Sequence, residues 1–459
     1  MKIVLFVVLL AALAAPCSAA DPVISSAAGH AKEDSLIWVV GSNFGYKTPA
    51  APVCWEDFDR DDLITETYPT GADRIIHSGR TYGGHLDTLG YSEHANTSEV
   101  GSASPYDGWR YTTNHLRDGQ GMNTRSINYH DSVEPTAQHD MAVLWADANI
   151  QLGDSFFISL YSLLENFEVT QGIGLNQWKG WYFAKCSYWT YDHNGYQCWD
   201  PIQSRGHIGD RLRFSINRDV GGGRYFYYTN YWVGGGDAGA IQCEACEDGY
   251  VDGNYAWMQM TNDNGYWNDW IDDGWNYHEN QGAINNLGEC DGYWRSWLNG
   301  VTGKLTGSSW ANDIDGIEEE PDFLCIKSDT FRMRYLTWAD RLTGGEDSRS
   351  PGDSTPVHID DVYYDSTWAR VQLGNASTFD NCTVREMQIP IYWASDGDSI
   401  RLICNTGAFA QDDDAWLYVV NRTGEWNEDG YYVQINTSFG GVPENVAPCD
   451  SVKAWTPGG

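Results

Sequence analysis

Apolar positions along this chain fall in short runs separated by Gly, Asn and Asp. Leu36-Ile37-Trp38-Val39-Val40, Phe156-Phe157-Ile158-Ser159-Leu160, Leu212-Arg213-Phe214-Ser215-Ile216, Tyr225 to Tyr231 and Trp416 to Val420 are rich in β-branched and aromatic residues. Each reads as a strand bounded by turn residues. Heptads, long amphipathic helices and phosphate-binding glycine loops are absent, so the pattern predicts an all-β sandwich or jelly roll. From 233 to 324 it changes: Gly, Asp, Asn and Trp dominate, and turn signals replace strand signals. That stretch reads as a long, disulfide-tied loop excursion with little regular structure, and loops of that length are usually functional or inserted.

The first twenty residues interrupt the β pattern. Lys2 supplies a positive start, Ile3 to Ala15 an apolar run, and Ser18-Ala19-Ala20 a small-residue cleavage site, so 1–20 reads as a secretory signal peptide. The run is too short to anchor in a bilayer, and no later segment approaches a spanning length. A secreted, extracellular or cell-surface location follows, with no membrane insertion. Removing the leader takes Cys17 and leaves ten of the eleven cysteines, enough for up to five disulfides in an oxidising compartment. Cys186 and Cys198 flank the turn-rich Asp192-His193-Asn194-Gly195 and make the best single pair. Cys243 and Cys246 form a CxxC with no second metal-binding pair to match it, which favours structural bridging over zinc. Sequons for N-glycosylation stand at Asn96, Asn375, Asn381, Asn421 and Asn436.

Composition then excludes whole classes. The formal net charge is −36, with 28 Lys+Arg against 64 Asp+Glu, so the long-range field repels nucleic acid and anionic membranes. Acidic chains that stay disordered lack apolar surface, whereas this one is 42% hydrophobic and carries 22 Trp and 28 Tyr. It is a folded acidic protein, and its charge gives a preference for neutral glycans over polyanions. One basic stripe runs against that preference: Arg205, Arg211, Arg213, Arg218 and Arg224 lie close together.

Two family resemblances appear in these segments. Residues 22–45, with a Pro22-Val23-Ile24 start and Gly41-Ser42-Asn43-Phe44-Gly45 at the end of a strand, resemble the opening of an IPT/TIG immunoglobulin-like domain. Its second half resembles Ala369-Arg370-Val371, Gln388-Ile389-Pro390, Trp393, Asp398-Ser399-Ile400 and Leu417 to Gly430. In such a domain the glycines serve the turn and Phe44 fills the core beneath it. The residues between begin with Trp55-Glu56-Asp57-Phe58 and end with Val357-His358-Ile359-Asp360-Asp361-Val362-Tyr363-Tyr364. That closing strand, with Phe331 to Tyr335 before it, resembles the end of a concanavalin A-like lectin/glucanase jelly roll. The resemblances imply a jelly roll over 52–365, loop-rich from 233 to 324, inserted into a TIG-like sandwich formed by 21–51 and 366–440, with a tail at 441–459. Simple alternation sets Ile359 and Val362 on opposite faces, so a bulge is expected at the Asp pair.

Candidate chemistry concentrates on Arg224 to Trp232. On a strand, Arg224, Phe226, Tyr228, Asn230 and Trp232 share one face, and the more polar set is the choice for a sugar-binding groove. Aromatic rings stack on the apolar face of a sugar and polar groups fix its hydroxyls, which makes Arg224, Tyr228, Asn230 and Trp232 the ligand-binding candidates. The same residue types, with His207, suit a polysaccharide lyase: Tyr228 or His207 to move the protons of a β-elimination and Arg224 to neutralise a uronate carboxylate. A glycoside hydrolase is the weaker enzyme alternative, because no strand carries paired carboxylates at the required spacing. Asp313 and Asp315, in the oxygen-rich turn 312–316, are candidate calcium ligands. Three functions stay open: an adhesin or glycan-binding protein for an extracellular polysaccharide, a polysaccharide lyase, and a structural surface or filament subunit.

Overall fold

A computed structural model describes residues 20–56, 141–164, 175–184 and 354–439, most of 270–302, Arg117, and the backbone of further strands between 65 and 343. The described chain is all-β, its one helical element a single 3-10 turn at Phe379–Asn381. Among the described residues no helix is long and apolar enough to cross a membrane. Three sheets of eight, eight and nine strands account for the sandwich architecture.

The first sheet draws on both ends of the chain. Leu36–Ser42 pairs with Val23–His30 on one side and with Ser399–Ile403 on the other, and the order continues through Arg385–Trp393, Arg370–Gly374, Asp414–Val420 and Tyr431–Gln434. Arg385–Trp393 shifts register at Pro390, which removes a donor and lets the strand change partners. Alternation then builds one core: Ile37 and Val39, Val371 and Leu373, Ile400 and Leu402, and Leu417 and Val419 all bury together with Phe44 and Trp393. Gly45 takes φ +70, the left-handed turn region, but Gly41 has a different role. A Cβ there would collide with the Val23 carbonyl and the Phe44 ring, so its glycine permits close approach.

The second, middle sheet runs Val301–Thr302, Tyr293–Leu298, Asn276–Ala283, Ser155–Leu164, Ser354–Asp365, Asn123–Tyr129 and Arg110–Thr112, with Cys54–Glu56 also pairing Ser354–Asp365. The third, outer sheet runs Lys304–Thr306, Tyr255–Thr261, Arg224–Trp232, Arg211–Asp219, Leu175–Ala184, Arg332–Ala339, Met141–Gln151 and Gly90–His94, with Leu342–Thr343 beside Leu175–Ala184. Aromatic contacts close these two against each other: Phe156 meets Phe183 at 4.8 Å, Phe183 meets Tyr364 at 5.8 Å and Trp181 meets His278 at 5.7 Å. The bulge at the Asp pair is present. Ser159 pairs Tyr363 but Tyr161 pairs Asp360, so Asp361 and Val362 together oppose Leu160, and Asp361 takes φ +46. The extra residue puts Ile359 and Val362 on the same side, both fully buried towards the outer sheet.

The stretch 233–324 departs from the loop reading. It contributes Tyr255–Thr261 and Lys304–Thr306 to the outer sheet, Asn276–Ala283, Tyr293–Leu298 and Val301–Thr302 to the middle sheet, and Ile241–Cys243 to a two-stranded ribbon. The physical reason lies in Asn276-Tyr277-His278-Glu279-Asn280-Gln281, which is polar at nearly every position and yet fully buried. Its odd positions face the end module, the part of the chain built on the first sheet, where charged partners wait. Arg385 Nη1 meets Glu279 Oε2 at 2.5 Å, Gln372 Nε2 donates to Glu279 Oε1 at 2.6 Å, and Arg370 Nη1 donates to Gln281 Oε1 at 3.2 Å. Further along, Lys47 meets Asp365 at 2.6 Å, while Arg117 joins Asp361 and Glu386. Burial works against the charge on both Lys47 and Asp365, and their mutual attraction opposes it. Burial prevails at that pair, lowering Lys47 and raising Asp365, whereas at Arg117 the carboxylates of Asp361 and Glu386 overcome desolvation and hold it well above its ordinary value.

Cysteine pairing also differs from the full count. Cys382 and Cys404 are buried thiols, which leaves four bridges at most from the ten cysteines. Cys382 Sγ donates towards the Thr378 carbonyl at 3.4 Å, and burial pushes both thiols up. Cys186 and Cys198 lie outside the described residues. Two outcomes follow. Alkylation of the unfolded, unreduced protein labels Cys382 and Cys404, whereas the native protein protects them; labelling only after reduction would contradict the assignment. Glu279→Gln leaves Arg385 charged and buried, and lowers the unfolding free energy by about 3–5 kcal/mol in urea titration.

Candidate functional site

Three places bring chemistry-bearing residues together, and two of them are sealed. In the sandwich interior Ser162 Oγ lies 2.7 Å from His278 Nε2, the spacing of a nucleophile and its base. Both residues have no exposed surface, and Trp181 and Trp270 pack on the imidazole at 5.7 and 5.9 Å. Burial pulls the His278 imidazole down to about 3, so it stays neutral and poorly basic at ordinary pH. At the boundary with the end module, Tyr161 and Tyr277 stack at 4.6 Å beside Glu279 and Glu386. Burial raises both phenols well above their ordinary value, with Glu386 acting the same way on Tyr161 and Glu279 on Tyr277. These side chains are buried and bonded to one another, which makes them a structural contact with no room for a polymer.

The third place is the outer sheet. Its inner face is fixed by Trp181, Phe183 and Leu336, all fully buried against the middle sheet. Register carries that face across the strands, because directly paired residues share a side. Trp181 pairs Phe214 and Phe183 pairs Leu212; Phe214 in turn pairs Thr229 and Leu212 pairs Tyr231. Thr229 and Tyr231 then pair Met258 and Ala256. The opposite face therefore receives Arg224, Phe226, Tyr228, Asn230 and Trp232. Beside them across the register stand Asp219, Asn217, Ser215, Arg213 and Arg211 on one strand, and Gln259, Trp257 and Tyr255 on the other. Tyr182 pairs Arg213 from the far side.

Arg224, Tyr228, Asn230 and Trp232 thus share one strand and one face, and that face is the one turned from the sandwich interior. His207, Asp313 and Asp315 lie outside the described residues. No group of three or more His, Cys, Asp or Glu placed to hold a metal occurs among the described residues. Tyr182, Trp257 and Gln259 were missed by sequence reasoning. A signal for two of them was present: in Tyr-Ala-Trp-Met-Gln-Met-Thr, Ala256, Met258 and Met260 alternate strictly with Tyr255, Trp257, Gln259 and Thr261. The surrounding glycines and aspartates masked that period-2 pattern.

No family model and no curated protein matches the chain. Among solved structures it is similar to a marine alginate lyase from Aplysia kurodai, at 12% identity over 69% of this chain and 100% of that one, with a TM-score of 0.36. The alginate lyase Aly36B gives 12% identity over 70% and 98%, with a TM-score of 0.31. A legume lectin-like domain from Entamoeba histolytica gives 10% over 52% and 88%, with a TM-score of 0.25. Similarity of this degree leaves the functional reading to rest on the chain's own geometry.

The buried imidazole sets a pH dependence. The folded protein keeps His278 neutral down to about pH 3, whereas the unfolded chain takes up that proton near 6.5. Stability from this group is complete above pH 6.5 and is lost as pH falls towards 3, by about 1.4 kcal/mol per pH unit. Urea unfolding across that window shows the slope, and His278→Asn flattens it.

Proposed function

We propose that this is a secreted carbohydrate-binding protein that holds an extended polysaccharide on the outward face of the nine-stranded sheet. The end module is read as IPT/TIG-like and the body it carries as a concanavalin A-like jelly roll. What supports the binding role is one juxtaposition: register brings Tyr182, Tyr228 and Trp257 to one face with Asn230 and Gln259 between them. Rings set one to three strand spacings of about 4.8 Å apart, with amides beside them, offer stacking for sugar faces and hydrogen bonds for hydroxyls. A sheet face of this length suits a polymer rather than a single sugar.

β-Elimination is the second reading. Tyr228 stands beside Ser215 and Gln259 and diagonal to Arg213, which supplies the residue types for proton transfer and carboxylate neutralisation. Incubation with uronate polymers separates the two: growth of absorbance from an unsaturated product marks a lyase, and retention without turnover marks a binding protein. On either reading Trp257→Ala and Tyr228→Ala each weaken polymer binding by roughly three- to tenfold with unfolding unchanged. Trp38→Ala, on the end module, leaves binding intact. Affinity electrophoresis in polysaccharide gels measures all three.

A further inference from the structure

The overall charge of −36 points to neutral partners, but the outer face has its own balance. Arg211 and Arg213 occupy successive same-face positions on Arg211–Asp219, about 7 Å apart along the strand. Their register partners are Trp232 and Asn230 on one side and Ala184 and Tyr182 on the other, none of them acidic. Arg224 differs, because it pairs directly with Asp219 and that end of the face is neutral as a unit. Beyond Tyr182 the face continues through Thr337, which pairs Tyr182, and Trp145, which pairs Thr337. The nearest carboxylate on that side of the described face is Asp147, paired with Tyr335. It stands three strands from Arg211, about 14 Å away at ordinary strand spacing, and further from Arg213. That exceeds the Debye length of about 8 Å at physiological salt, so distant acids are screened while a ligand touching the guanidinium groups is not.

We propose that the face takes an acidic polysaccharide whose sugars carry carboxylates, with Arg211 and Arg213 as the anion partners and the neighbouring aromatics as the stacking floor. This deepens the carbohydrate-binding reading and rests on it. A guanidinium presents a planar fork of donors that matches a carboxylate in two parallel hydrogen bonds, and an ammonium does not. Two such forks on one strand face, flanked by Tyr182 and Asn230, favour a polymer with carboxylates repeated along its length. The preference is local, and it runs against the sign of the whole molecule.

Affinity electrophoresis and calorimetry of the full chain against polygalacturonate, a sulfated galactan and neutral xylan test the proposal. Polygalacturonate is expected to bind, and Arg211→Gln with Arg213→Gln to weaken it by at least about tenfold. Arg213→Lys keeps the charge and is expected to recover only part of that loss, which separates fork recognition from charge. Arg422→Gln, which removes an exposed charge on the end module, is expected to leave binding unchanged. Equal loss from Arg422→Gln overturns the proposal in favour of a general charge effect. Binding of xylan alone, or of the sulfated galactan in preference to polygalacturonate, overturns the acidic-sugar assignment and leaves the carbohydrate reading standing. Failure to bind any of the three polymers overturns the reading beneath it.

Discussion

A buried polar contact between the middle sheet and the end module governs the described part of this protein. A sheet usually buries one face and wets the other. Here the middle sheet is covered twice: by aromatics from the outer sheet on one face, and by Arg370, Gln372 and Arg385 of the end module on the other. Desolvating charges costs several kcal/mol per ion, so such a contact adds little to stability over an apolar one. It does impose specificity, because Glu279, Gln281 and Asp365 meet their partners only when the end module sits in one position, and Arg117 bridges Asp361 to Glu386 of that module. Apolar contact supports the network: the Arg370 guanidinium lies 3.8 Å over the Phe157 ring and Arg385 lies 4.0 Å over Phe379.

That contact also explains where the sequence was legible. Strands whose apolar residues alternate into one core read correctly: Leu36–Ser42 buries Ile37 and Val39, and Asp414–Val420 buries Ala415, Leu417 and Val419 in the same cluster. The bulge at Asp360-Asp361 followed from counting, since two apolar residues had to reach one core across an odd spacing. Asn276–Ala283 was illegible, because a hydrophobic pattern assumes that buried means apolar. Its partners Arg370, Gln372 and Arg385 lie about a hundred residues further on, and no local rule connects them. Tyr255–Thr261 was a different kind of miss, with its alternation present but outweighed by neighbouring turn residues.

Sealing the middle sheet on both faces has a functional consequence. The residue types of acid–base chemistry gathered there, Tyr161, Tyr277, Glu279 and Glu386, are engaged in holding two bodies together. Ser162 and His278 are locked between tryptophans. The outward face of the nine-stranded sheet is the place to which the proposed binding role assigns the ligand. Its composition there is neither the acidic one of the whole chain nor the apolar one of a core: rings, amides and a pair of arginines take neighbouring register positions. The middle sheet packs behind those positions through Phe156, Tyr364 and His278.

On the proposed reading the polymer lies on this face alone. Amide hydrogen exchange of the full chain with and without saturating polygalacturonate locates it. Added protection confined to the strands Leu175–Ala184, Arg211–Asp219, Arg224–Trp232 and Tyr255–Thr261 is the predicted result. Protection centred on the end module, or on the middle-sheet strands with these four unchanged, would contradict it.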